Sequence, residues 1–291
     1  MPKSPKTVDA SQTFYVDILA RSLLRIGIPK YQAYEISHQI SDQLSHQAKD
    51  PKEVARLVEV ILKAKYPKLL GRYHDWRKIM NSEKPLIILI DGGTGIGTST
   101  LAMRVGWLLE IIRIVSTDSV REVIRQFLRE DVLPILHASS YQVGELVKEV
   151  KSEHDRLIFG FLTQSKEVLH GVEAVVRRAI KEKVNAIIEG VHLVPGEMGF
   201  LKKYQKEATI VEVMLDVKLK SKHQQHFQSR HLQNANRKKQ RYMRYFKEIR
   251  LVRDFLVCQA EKNDVPVVEN YDLRKAEQQI LEIVYSHYFH P

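Results

Sequence analysis

The sequence predicts an α/β fold, a five-stranded parallel sheet with a helical lid, preceded by a small all-α domain. Three observations predict it. The first seventy residues carry apolar side chains at helical spacing and no strand pattern. From residue 85 onward, short apolar runs alternate with longer helical patterns, as in repeated β-α units. Several of those runs end in an acid or a glycine turn, where parallel sheets bind their ligands.

In the N-terminal domain, residues 1–72, Ile18, Leu19, Leu23 and Leu24 fall on one helical face, and Gly27 and Pro29 end that element. Ile36, Ile40 and Leu44 stripe the next helix. A third runs from Pro51 to Lys65, with Val54, Leu57, Val58 and Leu62 on one side. Residues 73–84 are polar around Trp76 and read as a linker to a second domain, 85–291.

That domain opens with LIILIDGGTGIGTST, Leu86 to Thr100, an apolar strand that breaks into glycines and hydroxyl residues. Gly92 and Gly97 have the spacing of a phosphate-binding loop, G-x-x-x-x-G-K-[ST], in which backbone N–H groups and a helix N-terminus cradle phosphate oxygens. The candidate cradle is Gly92, Gly93, Thr94, Gly95, Ile96, Gly97, Thr98, Ser99 and Thr100. Thr98 stands where the motif has lysine, so the loop carries a hydroxyl dipole in place of a cation. Ser99 is the expected Mg²⁺ ligand.

A helix from Leu101 to Glu110 leads to a strand, Ile111–Thr117, ending at Asp118. Helical patterns fill much of Val120–Lys183, and further strands follow at Val184–Glu189, at Ala208–Leu215, which ends at Asp216, and at Val265–Val268. A helix from Leu273 to Tyr288 closes the chain. Asp118 suits a hydroxyl-orienting or hydroxyl-deprotonating role, with Arg121 and Arg125 holding an anionic acceptor. Glu189 sits where an acid orders Mg²⁺ or its waters. His192, just beyond it, is a candidate for contact with substrate.

The net charge is +11, and Lys and Arg crowd Lys218–Arg253, where Glu248 is the lone acid. This segment reads as a basic lid, about residues 217–250, whose Arg230, Arg237 and Arg241 close over the phosphates and replace the missing lysine. A lid accounts for the charge better than a nucleic-acid surface does. Three histidines, His223, His226 and His231, lack the cysteine or HExxH partners of a zinc site. Tyr242, Tyr245, Phe246, Ile249 and Val252 recur at helical steps and read as a core stripe. Cys258, the single cysteine, lies among Phe255, Leu256 and Val257 and reads as a reduced packing residue. No apolar run is long enough to span a membrane, and MPKSPKTVDASQTF lacks the apolar core of a secretory signal, which points to the cytoplasm.

Together these pieces resemble the archaeal 2-phosphoglycerate kinase family over nearly the whole chain. The matching stretches are ILARSLLRIGIPKYQAYEI, GGTGIGTSTLA, TDSVREVIR, ASSYQ, IIEGVHLVPG and the HF..R segment before a long basic helix. The N-terminal part also resembles an ATP-cone domain, with its hairpin portion short or absent. The resemblance implies a P-loop kinase fold that uses ATP and Mg²⁺ to phosphorylate the 3-hydroxyl of 2-phosphoglycerate. The product would be 2,3-bisphosphoglycerate, the precursor of a cyclic diphosphoglycerate. It further implies substrate contacts from Ser140 and Tyr141 in ASSYQ, and it makes Thr98 a family feature. Two positions depart from expectation: Asp91 places a carboxylate just before the phosphate loop, where its charge would repel the ligand unless it is paired, and Glu110 stands where a helix-ending glycine belongs. The residues alone leave open an ATP sensor without transfer activity and another phosphorylated acceptor, such as an inositol phosphate. They also leave open a homodimer through the helical domain.

Overall fold

A computed structural model describes residues 10–44, 50–229 and 236–289. The chain divides into two compact units, Met1–Ser82 with Trp107–Glu110, and Glu83–Gly106 with Ile111–Pro291.

The first unit contains α1 (Ala10–Arg25), α2 (Lys30–Gln43), α3 (Pro51–Lys65) and α4 (Leu70–Met80). Gly27 adopts φ +97°, which lets the chain leave α1 in a tight turn. The Asp50 carboxylate accepts from the Lys52 N–H and caps α3. Leu23, Ile36, Ile40, Val58, Leu62 and Trp76 are buried. The segment expected as a linker is largely helical: Tyr73, Trp76 and Ile79 recur every three residues and are the buried positions of α4. Three basic residues, a histidine and an aspartate interrupt that stripe and hide it from a hydropathy reading. Glu110 adopts φ +57°, the left-handed conformation that favours glycine after a helix, and it pairs with Arg25. The Arg25 Nε donates to the Leu108 carbonyl at 2.6 Å, satisfying an acceptor at the same helix end.

The second unit is built on β1 (Leu86–Gly92), β2 (Arg113–Ser116), β3 (Ala186–Gly190), β4 (Thr209–Asp216) and β5 (Val267–Glu269). They form one parallel sheet in the order β2-β3-β1-β4-β5. All of β1 is buried, as its unbroken apolar run requires of a central strand in a parallel sheet. The helices are α5 (Thr98–Leu109), α6 (Thr117–Phe127), α7 (Glu153–Lys181), α8 (Lys220–Ser229), α9 (Asn236–Arg244), α10 (Phe246–Lys262) and α11 (Leu273–Phe289). Val168, Val172 and Val176 of α7 pack with Ile87, Leu89 and Ile188. Val252 and Leu256 of α10 pack with Met214 and Phe161. No described helix is long and apolar enough to cross a membrane.

Two further expectations change. The second strand ends at Ser116, not at Thr117, because the Ser116 hydroxyl accepts from the Ser119 N–H and starts α6. Asp118 therefore lies in the first turn of a helix. Cys258 is exposed: its apolar neighbours on the core side of α10 are Leu256 and Ala260, and the thiol faces away from them.

Candidate active site

The loop between β1 and α5 turns on Gly95 (φ +87°) and Gly97 (φ +101°), conformations that a side chain would strain. Space excludes side chains as well. A Cβ on Gly95 would lie 2.3 Å from the Phe227 ring, and one on Gly97 would lie 2.7 Å from Asn270 Nδ2. The Asn270 amide donates to the Ile96 carbonyl at 2.8 Å. His223 Nε2 donates to the Thr94 carbonyl at 2.9 Å, and its ring stacks on Phe227, with centroids 5.1 Å apart. Burial lowers the His223 pKa to about 4, so the ring is neutral at pH 7. Asn270, His223 and Phe227 thus brace the loop. Sequence reasoning missed all three as site residues, although Asn270 directly follows a strand and His223 and Phe227 are one helical turn apart.

The first two residues of α5 converge on Glu189 at the end of β3. Thr98 Oγ1 donates to Glu189 Oε2 at 2.5 Å, and Ser99 Oγ donates to Oε1 at 2.8 Å. The carboxylate is buried, at 4 % exposure. Thr98 therefore serves Glu189, whereas the sequence reading aimed its hydroxyl at phosphate. A Cβ on Gly92 would lie 2.7 Å from the Thr98 methyl, so the first glycine of the loop makes room for this threonine. Ser99 and Glu189 offer a hydroxyl and a carboxylate, the hard oxygen donors that suit Mg²⁺.

Asp118 projects from α6 with its side chain 72 % exposed and lies 3.6 Å from Arg121. Arg121 is only 15 % exposed and donates to the carbonyls of Ala138 and, at 3.4 Å, Leu136. It braces the segment before Ser140 and Tyr141 and is not spread toward solvent beside Asp118. Arg125 pairs with Glu122 at 2.8 Å. Ser140 and Tyr141 are both buried. Tyr141 packs against Tyr242 and Tyr245, in agreement with the expected aromatic stripe, and the Arg241 guanidinium lies 6.0 Å from its ring centre. Arg241 donates to Ser139 Oγ at 2.9 Å and to Gln142. Its partners thus belong to the 139–142 segment, not to the phosphate loop for which it was nominated. Arg230 and the side chain of Arg237 lie outside the described residues.

His192 is fully buried, which removes it from direct substrate contact and corrects that expectation. The Gln164 amide nitrogen donates to the Ile135 and Ala138 carbonyls, so its oxygen must accept from His192 Nε2–H, 3.1 Å away. His192 Nδ1 is then unprotonated and accepts from the Thr117 hydroxyl at 3.0 Å. One neutral imidazole thus ties the start of α6 to the segment that Arg121 also braces. Gly190, at φ +134°, leaves room for this, since a Cβ there would lie 2.2 Å from the Thr117 hydroxyl oxygen. Burial, and secondarily Arg121, lowers the His192 pKa to about 3. The unfolded ring takes up a proton as pH falls through about 6.5 while the folded ring does not, so stability drains away between about pH 6.5 and 3. His192→Gln should lower the melting temperature at pH 7 yet flatten this acid limb, measured by thermal unfolding at pH 7, 5 and 4.

Asp91 is completely buried on β1. Burial first, and then the Glu212 carboxyl, pushes its pKa well above the ordinary carboxylate range. The group is therefore held toward its neutral form, and the repulsion of ligand phosphates expected from its charge falls away. The unfolded carboxyl ionises at lower pH than the folded one, so folding is penalised increasingly as pH rises above about 4. Asp91→Asn should raise stability at pH 7, a gain that vanishes near pH 4. A loss at pH 7 in denaturant titrations would count against this reading.

No protein-family model matches the chain. Among curated proteins, it is 37% identical over 273 residues to a 2-phosphoglycerate kinase of Methanopyrus kandleri, a match covering 92% of this chain and 83% of that protein. It is 36% identical over 276 residues to a 2-phosphoglycerate kinase of Methanocaldococcus jannaschii, covering 93% and 87%. A third relative, from Pyrococcus horikoshii and named likewise, is 32% identical over 276 residues, covering 94% and 89%. Among solved structures, shikimate kinase from Acinetobacter baumannii matches at 15% identity and a TM-score of 0.40, over 72% of this chain and 97% of that one.

Proposed function

The chain belongs to the 2-phosphoglycerate kinase family, and from that premise we propose that it transfers the γ-phosphoryl group of ATP to the 3-hydroxyl of 2-phosphoglycerate, giving 2,3-bisphosphoglycerate. One observation carries the reading beyond the family name. A glycine turn with two left-handed residues opens onto a helix N-terminus, and the first side chains of that helix are fastened to an acid at the neighbouring strand end.

In this reading the backbone N–H groups of the loop from Gly93 to Ser99, other than that of Ile96, which donates to the Gly93 carbonyl, receive the ATP phosphates, helped by the positive end of the α5 dipole. Ser99 and Glu189 would hold Mg²⁺, which neutralises phosphate charge. Thr98 keeps the Glu189 carboxylate in place while Ser99 turns to its ligand. Asp118 accepts the proton of the acceptor hydroxyl as the new P–O bond forms and the bond from the γ-phosphorus to the bridging oxygen breaks, releasing ADP, and Arg125 binds an anionic group of the same acceptor. Arg121, Gln164 and His192 act through the segment they brace, which leads to Ser140 and Tyr141.

The test is the initial rate of ADP release with ATP and Mg²⁺, using 2-phosphoglycerate, 3-phosphoglycerate, an inositol phosphate or no acceptor. Acceleration by 2-phosphoglycerate alone is the expected result. Acceleration by the inositol phosphate would move the acceptor, and saturable ATP binding without release under any condition would favour a sensor.

A further inference from the structure

The phosphate loop has no cation of its own. From Gly92 to Thr100 no residue is charged, and the hydroxyl at the lysine position is directed to Glu189. Phosphoryl transfer spreads negative charge over the transferring group, and a fixed cation beside it is the usual means of stabilising that charge.

Two buried arginines lie one turn apart on α10, Arg250 and Arg253. Arg250 is committed to backbone: its Nη1 and Nη2 donate to the carbonyls of Val217 at 2.8 Å and Lys218 at 3.0 Å. Arg253 is placed differently. Its Cβ lies 3.2 Å and its Cα 3.5 Å from where a Cβ on Gly93 would be, so the helix backbone abuts the second glycine of the loop. Its guanidinium is gripped by Asp216, with Nε 2.5 Å from Oδ1 and Nη2 on Oδ2. Asp216 ends β4, one residue beyond the Leu215 that pairs with Gly92, at the edge where the loop begins. The remaining contact, Nη1 to Asp254 at 2.6 Å, is to a side chain 54 % exposed. A guanidinium has five N–H donors, and these contacts use three.

We infer that Arg253, oriented by Asp216, is the cation of this phosphate loop and donates its two remaining N–H groups to the terminal phosphates of the nucleotide. The planar fork binds one carboxylate edge-on and presents its other side to a second anion, which a lysine ammonium cannot do with the same geometry. Asp216 is then a positioning residue. Because its charge is opposed by Arg253, the pair acts as an oriented dipole whose positive end faces the loop, supplemented by any bound Mg²⁺. This assignment replaces the lid arginines as the source of the missing charge.

The inference rests on the phosphate-loop reading above, and the test separates the two. Equilibrium affinities for ATP and for adenosine are measured on wild type, on Asp216→Asn with Arg253→Met, and on Arg253→Gln. Removing both charges together avoids a buried unpaired carboxylate, and glutamine can still donate to Asp216. Expected is a loss of about 10- to 100-fold in ATP affinity in both variants, the loss typical of a charge-assisted hydrogen bond, with adenosine affinity unchanged. A folded double variant, or Arg253→Gln, that binds ATP as tightly as wild type would overturn the inference and leave Arg253 a structural partner of Asp216. Wild type binding ATP no more tightly than adenosine would instead overturn the phosphate-loop reading.

Discussion

Glu189→Gln is expected to lower kcat by about 10³-fold, the scale lost when a preorganised electrostatic group at a phosphoryl or oxyanion site is removed. The carboxylate is the point on which Thr98 and Ser99 converge, each donating to one of its oxygens. Glutamine keeps the volume but offers one acceptor oxygen, so only one of Thr98 and Ser99 can go on donating to it and the other hydroxyl must turn to accept from the amide N–H. The site also loses the negative oxygen that the proposed mechanism places beside Mg²⁺. A thermal midpoint near that of wild type is the control, so that a fall in turnover is assigned to the site. Turnover within tenfold of wild type would remove Glu189 from the mechanism.

Asp118→Asn is the second large effect. An asparagine of the same shape can still align a hydroxyl, but it cannot take the proton, and kcat should fall by about 10²- to 10⁴-fold. ATP affinity should be unchanged. The side chain is mostly exposed, and its ion pair with Arg121 at 3.6 Å is of a kind worth about 1 kcal/mol or less, so stability should barely move. Retained turnover would assign Asp118 to the first turn of α6 alone, where an acid favours the helix N-terminus.

These effects follow from residues whose positions were legible in the chain because their signals are local. The glycine spacing, the apolar strand before it and an acid at the end of another apolar run need no partner to be recognised. What needed the fold was anything decided by a distant neighbour. His192 stood next to a strand end and looked available to substrate, but Thr117 and Gln164, which enclose it, are 75 and 28 residues away. Asp91 looked like a charge against phosphate because a sequence does not show that Glu212 and the sheet interior share its surroundings. Arg253 lay in a basic run where every arginine looked alike, and only the packing of α10 on Gly93 singled it out. The helix over Leu70–Met80 was missed for a different reason: three buried side chains among charged ones leave too thin a stripe.

The central claim, transfer to the 3-hydroxyl of 2-phosphoglycerate, is tested most directly by phosphorus NMR of the products formed with ATP and Mg²⁺. A phosphate on the terminal CH₂ is split by two protons and one on the central CH by a single proton. The account predicts a new triplet growing in step with ADP beside the doublet of the original phosphate. ADP accompanied only by inorganic phosphate, with the acceptor's signals unaltered, would contradict it.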